Sequence, residues 1–113
     1  MTLHGAGPTI STHVLDTAAG RPAAGIRVRL ERMLADGAAV EAGSGTTDLD
    51  GRIARLLEGT LTAGLYRLVF HLPEDISRFF HIVTLEFRVS EVERSYHVPL
   101  LLAPYAISSY RGS

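Results

Sequence analysis

The chain predicts an all-β fold, a sandwich of antiparallel sheets built from roughly seven or eight short strands. Three observations lead there. Apolar residues recur with a period of two in several separate segments, which is the signature of half-buried strands. Gly-, Pro- and Asp-rich turn signals fall between those segments at short intervals. Only one stretch has the makings of a helix, and it is a turn or two long.

Ser11 to Thr17 (STHVLDT) is a short β-rich run ended by the loop signal Ala18-Ala19-Gly20-Arg21-Pro22. In IRVRLERM, Ile26, Val28 and Leu30 fall on one face and Arg27, Arg29 and Glu31 on the other. Asp36-Gly37 marks a turn before a weak strand at Val40 to Gly43, and Gly43 to Thr47 loosens the chain. Asp50-Gly51 within Asp48 to Arg52 is a strong turn pair. Gly64 to Leu72 alternates again, with Tyr66, Leu68, Phe70 and Leu72 facing one way. Pro73 to Phe79 is the single helix candidate, because Pro suits a first helical position and Glu74 and Asp75 suit the positive end of the dipole. Phe80 to Val89 alternates, and a polar connection, Glu91 to Arg94, leads to two closing strands joined at Ala103-Pro104-Tyr105. Pro99 marks the first of these as an edge strand, since proline donates nothing to a ladder. Another subunit is expected to cover the apolar side chains of this hairpin.

With 113 residues, 46% of them hydrophobic and 20% charged, residues 1–113 make a single domain, with 1–9 expected to be flexible. Cysteine is absent, which removes disulfides, thiol nucleophiles and thiolate metal sites. A formal charge of −1 offers no footprint for nucleic acid. No apolar run reaches membrane-spanning length, and MTLHGAGPTI has no secretory pattern, so a cytoplasmic protein is expected.

The five histidines are the main candidates for chemistry. His4 lies in the polar start, and His71 and His81 sit in alternating strands where surface histidines are common. His13, among polar neighbours in the first strand, and His97, in the apolar hairpin, are the better candidates. No HxH or HxxxH pair exists, so a metal has no preformed grip. Asp48-Leu49-Asp50-Gly51 lacks the later Glu of a calcium loop, Gly43 to Gly45 is not a phosphate loop, and no GxSxG is present. Two imidazoles, a guanidinium and a hydroxyl in the tail, Tyr96 to Ser113, would suit addition of water to a polarised carbonyl.

Three stretches, Ser11 to Pro22 (STHVLDTAAGRP), Thr47 to Ile53 (TDLDGRI) and Tyr96 to Ser113 (YHVPLLLAPYAISSYRGS), together resemble the 5-hydroxyisourate hydrolases of the transthyretin-related family. The terminal YRGS distinguishes those enzymes from the hormone carrier. The resemblance implies a prealbumin-like sandwich of two four-stranded antiparallel sheets with one short helix. Four copies would form a dimer of dimers with sites in the channel between dimers. It implies hydrolysis of 5-hydroxyisourate in urate degradation without metal or other cofactor, with His13, Arg52, His97 and Ser113 catalytic. His13, Arg52, Tyr110 and Arg111 would bind substrate. A transthyretin-like carrier of small ligands is the alternative. The letters leave open which imidazole is the base. The Leu72–Phe80 segment is shorter than in many relatives, and Ala103, Ala106 and Ile107 replace residues that are often more polar.

Overall fold

A computed structural model of the chain describes residues 7–113. His4 and most of the start expected to be flexible lie outside those residues. Among the described residues nine strands run in order: β1 (Ile10–Asp16), β2 (Arg21–Pro22), β3 (Arg27–Met33), β4 (Ala39–Thr46), β5 (Arg52–Ile53), β6 (Gly64–His71), β7 (Ile82–Val89), β8 (Tyr96–Ala103) and β9 (Ala106–Ser109). They form two sheets. One follows the order β2-β1-β8-β9, with β5 also paired to β1, and the other is β4-β3-β6-β7.

The period of two sets the interior. From β3 come Val28 and Leu30, from β6 Tyr66, Leu68 and Phe70, and from the first sheet Ile10, Val14, Leu100 and Leu102, all essentially excluded from water. Two apolar faces closed on each other are what an amphipathic pair of sheets requires. Thr12 is buried among them at no net polar cost, because its Oγ1 donates to the Val98 carbonyl at 2.7 Å.

The sandwich is as the alternation predicts, with four local corrections. First, β1 and β8 are parallel, in register from Ile10 opposite Tyr96 to Asp16 opposite Leu102. A parallel pair needs a long crossover, and here the whole second sheet lies between the two strands in sequence.

Second, Pro99 is not on an edge, because β8 lies between β1 and β9. Backbone groups alternate sides along a strand. Tyr96 N donates to Thr9 on the β1 side, whereas the His97 carbonyl accepts from Gly112 on the other. Pro99 therefore turns its donor-free nitrogen toward β9, where the ladder stops at Ser109 before a lone bridge joins His97 to Gly112. The proline occupies the gap.

Third, among the described residues there is no helix at Pro73 to Phe79. The Pro73 carbonyl accepts from Ile76 N and Ser77 N, closing one turn. The next amides, Arg78 N and Phe79 N, are taken by the Pro104 carbonyl of the β8–β9 turn, at 2.8 and 3.2 Å. A single turn fixes several dihedrals for little return, so the tertiary acceptor wins. Fourth, β4 continues through Gly43 to Thr46 rather than loosening there, since β3 supplies partners for Gly45 and Thr46. Thr9, expected to be flexible, is buried and bonded through its N to Ser95 Oγ.

Candidate functional site

In β1 the residues that alternate with the core, Ser11 and His13, are half-buried on the outer face of the first sheet. The parallel register sets His97 opposite Ser11 and Pro99 opposite His13. On the other flank of β1, the two-residue β5 sets Arg52 opposite His13. Residues paired directly across strands share a face, so Ser11, His13, Arg52 and His97 are gathered on one surface.

The loop before β5 explains how Arg52 is held. Asp48 Oδ1 accepts from Asp50 N and Arg52 N at 2.9 and 3.0 Å, and Asp48 N donates to the Arg52 carbonyl. This is a side-chain-closed turn, for which Asp is suited by its short carboxylate. Gly51 completes it with φ of +74°, and its carbonyl accepts from Val14 N at 2.7 Å. Arg52 is thereby fastened to the first strand through the Gly51 carbonyl and its own pairing with His13.

His97 is held by two neighbours. Ser11 Oγ lies 2.8 Å from its Nδ1. Gly112 N donates to its carbonyl at 2.8 Å, which brings Ser113 alongside. Ser11, Arg52, Arg94, Ser95, His97 and Ser113 together line an open depression of about 470 Å³, within the usual range for small-ligand sites. His13 stands beside it on the same face. The His97 imidazole is held below its ordinary pKa, first by burial, then by the Arg52 guanidinium and by His13. Each of these disfavours the imidazolium, leaving His97 neutral and able to accept a proton at pH 7.

Not every expected residue arrives there. Arg111 stacks over the Tyr96 ring, 4.3 Å from its centroid. With Tyr110 it lines a different depression, whose walls include Phe87, Tyr96 and Val98. His71 lies at the end of β6 opposite Arg27, in the other sheet, and His81 is exposed. Among the described residues no group of three or more His, Asp or Glu side chains could hold a metal.

Three lining residues escape a reading of the letters. Ser11 could have been found by counting two back from His13 along the strand, had the β8 register been known. Arg94 closes what reads as a polar connection, and Ser95 follows it. Among the described residues the ion pairs are Arg29–Glu31 and Arg67–Glu86, so Arg52 and Arg94 bring unneutralised charge to the depression. A neutral imidazole beside two free guanidinium groups can deprotonate a nucleophile and stabilise the oxyanion that results.

Known proteins are similar to this chain over more than nine-tenths of its length. A "5-hydroxyisourate hydrolase" of Deinococcus radiodurans is 42% identical over 116 residues, covering 94% of this chain and 97% of its own. The solved structure of Klebsiella pneumoniae 5-hydroxyisourate hydrolase superposes with a TM-score of 0.78 at 34% identity, covering 94% of this chain and 99% of that one. Sea bream transthyretin in complex with thyroxine has the same fold, with a TM-score of 0.82, 25% identity and coverage of 91% and 93%. The model of the HIUase/Transthyretin family matches residues 10–112, and the chain belongs to that family.

Proposed function

We propose that this protein is a 5-hydroxyisourate hydrolase of urate degradation, opening the substrate ring to 2-oxo-4-hydroxy-4-carboxy-5-ureidoimidazoline. The observation that carries this is the polar depression in which a neutral imidazole meets unpaired arginines. An imidazole of the His13–His97 pair takes a proton from water as its oxygen bonds to the ring carbonyl carbon. The tetrahedral oxyanion forms against the Arg52 guanidinium. It collapses with cleavage of the C–N bond, the imidazolium returns its proton to the departing nitrogen, and the former carbonyl carbon leaves as a carboxyl group. Ser113 holds the water or the second imidazole. Metal or cofactor chemistry has no part in these steps.

Relatives that carry the hydrolase name at 42% identity over nearly the full chain support the reading over a carrier role. So does the lining, since a carrier of apolar ligands has little use for Ser11, Arg52, Arg94, Ser95, His97 and Ser113. The working form is a cytoplasmic single-domain chain assembled as a dimer of dimers. Support for that assembly comes from the half-buried outer face of the first sheet, where Leu15 and Leu101 lie opposite one another beside the histidines. A second copy facing that surface would exclude water from the site.

The test is the ultraviolet decay of freshly generated 5-hydroxyisourate with and without protein. Accelerated decay that is lost in His97→Asn supports the hydrolase. Decay at the spontaneous rate refutes it.

A further inference from the structure

The structure shows what surrounds the His97 ring as well as where it lies. Its Nδ1 is 2.8 Å from Ser11 Oγ. Its opposite edge lies against Gly112: a Cβ built on that glycine would stand 2.5 Å from His97 Cδ2 and 3.2 Å from Cγ. Real side chains do not approach so closely, so this seat exists only because residue 112 is glycine. Positive φ is not the reason, since Gly112 is not among the glycines with that conformation. With Nδ1 and Cδ2 flanked, the free edge of the ring is Cε1–Nε2, and His97 lines the neighbouring depression.

We propose that Ser11 and Gly112 are positioning residues for His97: the hydroxyl holds the proton on Nδ1, and the glycine seats the ring so that unprotonated Nε2 faces the depression. This rests on the hydrolase reading and deepens it by naming the nitrogen that acts as base. The direction of the Ser11 bond follows from charge. Arg52 and Arg94 both line the depression, and a positive potential there favours a lone pair facing it over an N–H. A neutral imidazole with Nε2 unprotonated must carry its hydrogen on Nδ1, and Ser11 Oγ is then the acceptor of that N–H. The partner of one ring nitrogen thus sets the function of the other.

The Ser11 bond joins two side chains that are 86 positions apart in sequence, and Gly112 belongs to the last four residues. Both act through His97 and neither is required to touch substrate.

The test is ¹⁵N NMR of the histidine rings in the unliganded protein, paired with steady-state kinetics of wild type, Ser11→Ala, Ser11→Thr and Gly112→Ala. The wild-type His97 resonances should report the neutral Nδ1–H tautomer. In Ser11→Ala they should move to a mixture of tautomers, with kcat down about tenfold, the weight of one neutral hydrogen bond, and KM little changed. Ser11→Thr, which keeps the hydroxyl, should restore both. Gly112→Ala should displace the His97 signals and lower kcat by about 10²-fold, the usual cost of a misplaced catalytic group.

A wild-type protein with the His97 proton on Nε2 would overturn the proposal. So would a Ser11→Ala protein with unaltered tautomer and kcat, or a Gly112→Ala protein with unmoved signals. Because the spectra are taken without substrate, the two readings can fail separately. The Nδ1–H tautomer in a protein that turns over nothing supports the positioning role and sinks the hydrolase.

Discussion

Replacing Gly51 by alanine tests how the first sheet holds Arg52. The substitution adds one methyl group, yet Gly51 is buried, has φ of +74°, and its new Cβ would run into the Val14 carbonyl oxygen and press on Pro22 Cβ. The left-handed backbone alone costs an L-residue about 1 kcal/mol. Relieving the overlap moves the turn away from β1, which strains two hydrogen bonds, Val14 N to the Gly51 carbonyl at 2.7 Å and Ala23 N to the Val14 carbonyl at 2.9 Å. Each is worth about 1 kcal/mol, so the expected loss is about 3 kcal/mol. For a domain of 113 residues a loss of that size lowers Tm by about 12 °C. The same displacement carries Arg52 out of register with His13, so kcat should fall by about 10²-fold in the protein that remains folded. Calorimetry gives the first number and 5-hydroxyisourate decay at a temperature well below the transition gives the second. A Tm within about 2 °C of wild type would mean the turn does not depend on glycine. Unaltered kcat with the full Tm loss would mean that Arg52 does not depend on the turn.

His97→Asn should reduce kcat by about 10²–10⁴-fold, the usual worth of a general acid–base group, with far-ultraviolet circular dichroism unchanged; a wild-type rate removes the residue from the mechanism. Arg52→Ala should raise the His97 pKa toward 6.5, because the guanidinium is one of the groups that lower it, and an NMR titration showing no change would break that link. In wild type the charged or titratable groups that act on His97 are Arg52 from β5 and His13 from β1, with Arg94 and Ser113 on the lining of the same depression. Between its lowered native value and 6.5 the unfolded chain binds a proton that the native state does not. Stability should therefore rise with pH across that window and level off above it, and urea midpoints that rise as pH falls from 6.5 would contradict this. Arg111→Ala should lower Tm by about 2–4 °C, the effect of losing a cation–π contact worth about 0.5–1 kcal/mol, and leave KM unchanged. A raised KM at constant Tm would return Arg111 to the substrate.

The sequence by itself determined the strands and the faces they bury. Tyr66, Leu68, Phe70 and Leu72 are interior wherever a strand with that alternation is placed, because period-two patterning is local and the hydrophobic effect acts on it without regard to partners. The Asp48–Arg52 turn was legible for the same reason, since its hydrogen bonds span only a few residues. Tertiary structure alone decided the rest. That β1 and β8 run parallel, that Pro99 sits inside a sheet, and that Pro104 unwinds the would-be helix all depend on pairings between residues far apart in the chain. The resemblance of three motifs named His13, Arg52, His97 and Ser113, but it placed Tyr110 and Arg111 with them, and these line a different depression. Strand alternation instead turns Arg111 away from the face that Gly112 and His97 share and lays it over Tyr96. Ser11 and Arg94 were invisible for the converse reason. Their significance lies in a cross-strand register and a loop path, and no local preference encodes either.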